Sequence, residues 1–306
     1  MPETKGIIGI DAHQPHIIEI TDLDDDRLLL FSGLRDRSAH HIARGSQLAG
    51  RLDEEFIIAE GVFILQTLVE TGHTVVAVLT EPARVDEIRE LAAGASGSAD
   101  QLTVFVADRS VLSGIVGYPF HRGVIALARR AVSVDAIELA RRSSALVMLE
   151  NLANHENVGS IFRTVAALGG QQTGIIVNEG CTDPMYRRSV RVSMGHALRQ
   201  PFAVVDDLVR VIGSLRDEQY LTVALAPASS VMDSPSYVLL GDLSRLLDGR
   251  KPALVFGSEA HGLTQEVIDA CDRVCSIPMA SGVDSLNVNV SVGVVLASFA
   301  GSLGIV

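Results

Sequence analysis

The chain has 306 residues, 47% of them hydrophobic, with 27 glycines and a mean hydropathy of +0.30, the make-up of a folded α/β protein long enough for two cores. Its formal net charge of −12 and pI near 5.2 exclude a protein that coats nucleic acid by bulk attraction. No apolar run approaches the roughly 20 residues of a membrane span, and Met1-Pro2-Glu3-Thr4-Lys5 lacks the basic start and apolar core of a signal peptide, so the expectation is a cytoplasmic protein with no membrane partner.

In chain order, His16 to Ile20 reads as a strand and the cluster Asp22, Asp24, Asp25, Asp26 as a solvated turn. Ser38 to Leu52 reads as a helix with basic residues spaced along it. Phe56 to Ala59 is a buried strand, Gly61 to Thr71 a helix, and Val75 to Leu79 another strand, a βαβ alternation. A helix over Arg84 to Ala93 and the loop Gly94 to Ser98 lead to a strand at Leu102 to Val106, a short helix near Ser110 and a closing strand at Val124 to Leu127. This completes a smaller N-terminal α/β domain, residues 1–130. Residues 131–144, where Arg129-Arg130 and Arg141-Arg142 flank a short helical segment, read as a linker.

The pattern then restarts over 145–306. Strands are expected at Ala145 to Leu149, Gly174 to Val177, Leu221 to Leu225, Ala253 to Phe256 and Val274 to Ile277. Helices are expected at Gly159 to Leu168, Asp183 to about Met194, Asp206 to Arg216, from Thr264, and at Leu286 to Leu303. Alternating strands and helices predict a mostly parallel sheet with flanking helices and a ligand at its carboxyl edge.

Cys181, Cys271 and Cys275 cannot all pair and form no C-x-x-C zinc spacing, so no metal site is expected. Cys271 and Cys275, four apart, are expected on one helix face as reduced core thiols. Cations are almost all arginine, and they cluster: five against one aspartate from Arg27 to Arg51, four against one from Cys181 to Arg199.

No G-x-G-x-x-G follows a strand, which argues against a dinucleotide site. Gly257 to Gly262 has P-loop spacing but continues Leu263-Thr264 where a lysine is required, and Glu259 would repel a triphosphate. The strand running into Gly257-Ser258-Glu259-Ala260-His261-Gly262-Leu263, followed by Ile277-Pro278-Met279 and Ser285-Leu286-Asn287-Val288-Asn289, suits a loop-built pocket for a small polar ligand. In Glu150 to Thr164, Asn157 is read as a helix cap and Arg163, taken alone, as a surface residue.

Together these stretches resemble a known family. Asn157-x-Gly159-x-x-x-Arg163-Thr164-x-x-Ala167-x-Gly169, then Gly257-x-Glu259-x-x-Gly262-Leu263, then Ile277-Pro278-Met279 with Ser285-Leu286-Asn287-Val288 are similar, in content and order, to the three signature motifs of the SpoU (TrmH-like) RNA ribose 2′-O-methyltransferases, of the SPOUT superfamily. Asp183-Pro184 to Arg191-x-Ser193-Met194-Gly195, with Pro201, is similar to the stretch between the first two motifs. The resemblance covers Leu146 to the C-terminus. More weakly, Ile58-Ala59-Glu60-Gly61 and its helix resemble the substrate-binding domain of the ribosomal RNA branch.

The resemblance implies a C-terminal deep trefoil knot, a rarity that no periodicity predicts. It implies S-adenosylmethionine as cofactor, held by Gly257, Ile277 and Leu286, with Ala226, Gly262 and Met279, and it places the catalytic residues at Arg163, Asn157, Glu259, Ser285 and Asn287. It implies a homodimer and an RNA partner, ribosomal RNA rather than DNA. RNA needs a cationic track, for which Arg35, Arg37, Arg44 and Arg51, and Arg187, Arg188 and Arg191, are the candidates. Two positions depart from the family pattern: Asn289 stands where serine is usual, and His196 where a small residue is usual. A tRNA methyltransferase shares every motif. A non-catalytic RNA-binding protein of the same fold is the other alternative, and the complete set of signature residues counts against it.

Overall fold

In the computed structural model the chain divides into two compact units, Met1–Ala131 and Val132–Val306. The structure describes residues 15–23, 25–28, 31, 56–93, 102–131, 133–283 and 285–299. The expected helix over Ser38 to Leu52, the loop Gly94 to Ser98 and the arginines Arg35, Arg37, Arg44 and Arg51 lie outside them.

The first unit is a sheet of β1 (His16–Glu19), β2 (Phe56–Glu60), β3 (Val75–Thr80), β4 (Thr103–Val106) and β5 (Val124–Arg129), in the order β1-β4-β3-β5-β2. β1, β4 and β3 run parallel, while β5 is antiparallel to both β3 and β2, so the sheet is mixed. Helices Val62–Glu70, Val85–Ala93 and Arg109–Val116 connect the strands. The expected solvated turn at the acidic cluster is in part a 3-10 turn, Asp26–Leu28, that buries Leu28 completely.

The second unit is a wholly parallel sheet of β6 (Ala145–Leu149), β7 (Thr173–Asn178), β8 (Phe202–Val205), β9 (Tyr220–Leu225), β10 (Tyr237–Leu239), β11 (Lys251–Phe256) and β12 (Arg273–Ser276), in the order β10-β12-β9-β11-β6-β7-β8. All of β6 is buried, as expected of a strand covered on both faces, which is why it reads as an unbroken apolar run. Leu146, Met148, Ala224 and Val255 pack under helices Ala136–Arg142, Leu208–Ser214 and Gln265–Ala270. The alternate residues Val147 and Leu149, equally buried, face the other side. Helix Ala136–Arg142 lies in the stretch read as a linker, yet its Ala136, Leu139 and Ala140 belong to this core. The Tyr220 hydroxyl donates to the Ala140 and Ser143 carbonyls at 2.8 and 2.9 Å, and Lys251 Nζ donates to Ala140 O at 3.0 Å, fixing the end of that helix.

Three expectations are corrected. The helix expected from Gly159 runs His155–Leu168: Asn154 caps it, accepting from Glu156 N at 2.8 Å, and Asn157 lies inside it, buried. Asn151, Asn154 and Asn157 are spaced alike, but Asn151 stands at φ 55° with its side chain engaged by Asn178 and Asn157 is buried, which leaves Asn154 as the cap. The arginine-rich helix is confined to Arg187–Val192, because the side chain of Asp183 accepts from Met185 N at 2.9 Å and holds the preceding segment in a turn. It ends at Met194 (φ 53°) and Gly195 (φ 78°), and a separate turn of helix, His196–Arg199, follows. Cys271 and Cys275 do not share a helix face: Cys271 ends helix Gln265–Ala270 and Cys275 lies in β12, both buried free thiols. Strands β8 and β10, four and three residues long at the sheet edges, carry too little apolar pattern to be read from sequence.

Candidate active site

β6, β9 and β11 end level, with Phe256 in register with both Leu149 and Leu225, and β12 ends beside β9. The loops leaving these carboxyl ends enclose a pocket lined by Leu225, Ala226, Pro227, Phe256, Gly257, Ser258, Glu259, Gly262, Ile277, Met279, Ser285, Leu286, Val288 and Ser291. All six residues expected to hold a cofactor line it, with Glu259 and Ser285 among them.

The loop after β11 folds back on itself, and its composition follows from that. Gly262 N donates to Ser258 O at 2.8 Å, and Gly262 has φ 68°, the left-handed region that glycine adopts freely. A Cβ on Gly257 would lie 2.2 Å from the Gly262 carbonyl carbon, so this position admits no side chain. Beneath the loop the buried Glu150 takes the Thr264 N–H and hydroxyl at 2.8 and 2.7 Å, while its own N–H donates to Phe256 O at 2.9 Å. Glu150 thus ties the far end of the loop to the strand end it left. Sequence reading passed over it; a lone carboxylate closing an apolar strand was the available signal.

Three of the expected catalytic residues, from distant parts of the chain, meet in one hydrogen-bond chain. Asn157 Nδ2 donates to Glu259 Oε1, and Asn287 Nδ2 donates to Asn157 Oδ1 at 3.0 Å. Asn287 caps helix Val288–Ser298, its Oδ1 accepting from Asn289 N at 3.0 Å. The order is directional. A carboxylate can only accept, so it turns the Asn157 amide nitrogen toward itself. That leaves the Asn157 oxygen for the Asn287 amide nitrogen, and the Asn287 oxygen for the helix N–H. Ser285, exposed, stands two residues before Asn287.

Arg163 is not part of this chain. It lies six positions beyond Asn157 on the same helix, at about 100° per residue on a different side, and is exposed, with no carboxylate beside it among the described residues. Its electrostatic neighbour is His196, half-buried at the start of the helical turn that packs on the arginine-bearing helix. Burial, then Arg199 and Arg163, hold the His196 imidazole below its ordinary value. The departure at Asn289 also has a contact, since Thr164 Oγ1 donates to Asn289 Oδ1 at 2.7 Å.

Arg187, Arg188 and Arg191 share one short helix. Arg188 pairs with Glu156 at 2.6 Å, both side chains about half exposed (51% and 53%). This pair first, and Arg191 more weakly, holds the Glu156 carboxyl below its usual range. Gly159 lets this helix approach: a Cβ there would lie 2.6 Å from Ser189 O. No helix among the described residues is long and apolar enough to cross a membrane.

A parallel sheet with glycine loops, a carboxylate and two asparagines gathered at its carboxyl edge is the arrangement by which doubly wound folds bind a small ligand. The family model for the SpoU rRNA Methylase family matches residues 144–297. An uncharacterized tRNA/rRNA methyltransferase of Mycobacterium bovis is 32% identical over 283 residues, spanning 92% of this chain and 91% of that protein. Among solved structures, an S-adenosylmethionine-bound rRNA methyltransferase of Sinorhizobium meliloti aligns with a TM-score of 0.71 at 21% identity, covering 95% of this chain and 99% of its own. An RNA 2′-O ribose methyltransferase aligns with a TM-score of 0.65 at 20% identity, covering 94% and 100%. The chain belongs to the SpoU rRNA Methylase family, a family of RNA methyltransferases.

Replacing Asn157 by Asp sets two carboxylates against each other and removes the donor that Glu259 receives. Methyl transfer by Asn157→Asp is expected to fall by at least about tenfold, with a stability loss of about 1–3 kcal/mol in denaturant unfolding. In a titration followed by NMR, His196 should protonate below the ordinary imidazole value of about 6.5, and Arg163→Ala should raise the midpoint. Because the folded state disfavours the proton, this histidine's contribution to stability is present above that ordinary value and is lost as pH falls through it.

Proposed function

We propose that the chain transfers a methyl group from S-adenosylmethionine to a ribose 2′-hydroxyl of RNA, with ribosomal RNA as the substrate. The supporting observation is the meeting of Glu259, Asn157 and Asn287 beside the pocket of Gly257, Ile277 and Leu286, a convergence of polar side chains that packing alone does not require.

The residues fit the cofactor. Gly257, bare of a side chain, leaves its backbone open to the pocket; Ile277, Leu286 and Val288 offer apolar walls, and Ser258, Glu259, Ser285 and Ser291 polar ones. When bound, S-adenosylmethionine supplies an electrophilic methyl on a sulfonium. The protein's task is then to aim the ribose oxygen in line and to stabilise the negative charge that develops on it. Arg163 suits the second role, since its planar guanidinium offers a fork to a phosphate and to the forming alkoxide. Asn157 and Asn287, held in one orientation by Glu259, position the ribose. Ser285 shapes the transfer pocket at its exposed lip.

Arg187, Arg188 and Arg191 form the part of the RNA track within the described residues; an exposed pair such as Arg188 with Glu156 yields readily to a competing phosphate. Arg35, Arg37, Arg44 and Arg51 are the candidate RNA contacts of the first unit, which is read as the substrate-binding domain. A cytoplasmic homodimer and a trefoil-knotted C-terminal part belong to the same reading. Helix Val288–Ser298 supports the dimer: it leaves Val290 (46%) and Val294 (38%) exposed, one turn apart on a single face. In the dimer one subunit's first domain presents RNA to the other's site. The tRNA alternative shares every residue named here, and mapping the modified nucleotide decides it.

With labelled cofactor and total RNA, the wild-type protein should label a ribosomal RNA ribose, and Arg163→Ala should lower single-turnover transfer by about 10² or more. Transfer to a base atom, or wild-type rates in Arg163→Ala, refutes this. Val290→Asp with Val294→Asp should sediment as a monomer where the wild type sediments as a dimer.

A further inference from the structure

Two hydrogen bonds join helix His155–Leu168 to the start of helix Val288–Ser298. One is the Asn287 to Asn157 bond at 3.0 Å; the other runs from Thr164 Oγ1 to Asn289 Oδ1 at 2.7 Å. Asn157 and Thr164 are seven residues apart, two helical turns, so they lie one above the other on the same face. The bonds are therefore two rungs between the same pair of helices.

The second rung is fixed on each side. Asn289 N is held by Asn287 Oδ1 at 3.0 Å, so Asn289 is tied to the residue that carries the first rung. The Thr164 methyl lies 3.5 Å from where a Gly293 Cβ would be, so it packs close over a glycine one turn beyond Asn289. A β-branched side chain has few rotamers available, and this one is held by its hydroxyl and its methyl together. Thr164 directly follows Arg163, whose long side chain magnifies any rotation of the helix.

The fold does not need this bond. The two helices pack against each other, and Val158, Ile161, Phe162 and Val165 on one and Val288, Val292, Val295 and Leu296 on the other are buried without it. What the bond adds is rotational register between the turn bearing Arg163 and the loop bearing Ser285 and Asn287. We propose that Asn289, acting through Thr164, is a positioning residue for methyl transfer. Reach matters here: a serine oxygen stops one bond, about 1 Å, short of the asparagine oxygen and leaves the Thr164 hydroxyl beyond hydrogen-bond distance.

The inference rests on the methyltransferase reading, and the test separates the two. Single-turnover transfer to RNA, S-adenosylmethionine affinity by calorimetry and thermal unfolding are measured for wild type, Asn289→Ser, Asn289→Asp, Thr164→Val and the Asn289→Ser/Thr164→Val pair. Asn289→Ser and Thr164→Val should each slow transfer about tenfold with cofactor affinity and unfolding temperature unchanged. Asn289→Asp keeps an acceptor in reach and should stay within about twofold of wild type, and the double variant should be no slower than either single one. Wild-type rates in Asn289→Ser, equal losses in Asn289→Asp and Asn289→Ser, or losses that multiply in the pair overturn the positioning role alone. A wild-type protein that binds the cofactor and methylates no RNA overturns the methyltransferase reading, and the role of Asn289 with it.

Discussion

The site depends on one carboxylate. Glu259 has nothing to donate, so the Asn157 amide can meet it only nitrogen first, and that choice passes to Asn287 and on to the N-terminus of helix Val288–Ser298. Asn157 is 8% exposed, and a buried amide left without partners costs about 1–3 kcal/mol. The orientation of both asparagines is thus set before any substrate arrives, which is the condition for polar groups to stabilise developing charge without reorganising.

Two glycines make that arrangement possible by what they lack. Without Gly257 the loop carrying Glu259 could not close on Gly262, and without Gly159 the arginine-rich helix could not press against the turn that follows Asn157. Both contacts are backbone against backbone, with no flexible side chain to give way. The motif spacing is therefore a record of close approaches as much as of chemistry: the same glycine that closes the loop leaves the pocket wall bare.

How much of this could be read in the sequence depended on the kind of signal. β6, β9 and β11 were legible because a strand buried on both faces is an unbroken apolar run. β8 and β10 were not, being short and at the edges. The start of helix His155–Leu168 was misplaced because Asn154 and Asn157 are equally good caps by type, and only tertiary burial tells them apart. Cys271 and Cys275 have helical spacing, but a strand begins between them. The grouping of Asn157, Glu259 and Asn287 came only from resemblance, since no local pattern links residues about a hundred positions apart. Glu150 stands out as a carboxylate closing an apolar strand, but its role is to hold Thr264, a contact that exists only once β6 and β11 lie side by side.

A contrast in solvation divides the site. Glu150 and Asn157 are buried and satisfied within the protein, whereas Arg163, Ser285 and Asn287 are exposed. A pocket that must hold one small cofactor gains from rigidity. Groups that are to meet an RNA, as proposed for these three, must instead stay open to a large polyanion and exchange solvent for phosphate as it binds. The overall charge of −12 fits this division, because a net negative surface discourages indiscriminate contact with nucleic acid and leaves attraction to local clusters such as Arg187, Arg188 and Arg191. Within that cluster Arg188 pairs with Glu156 in water, and a pair so exposed can part without leaving a buried charge behind.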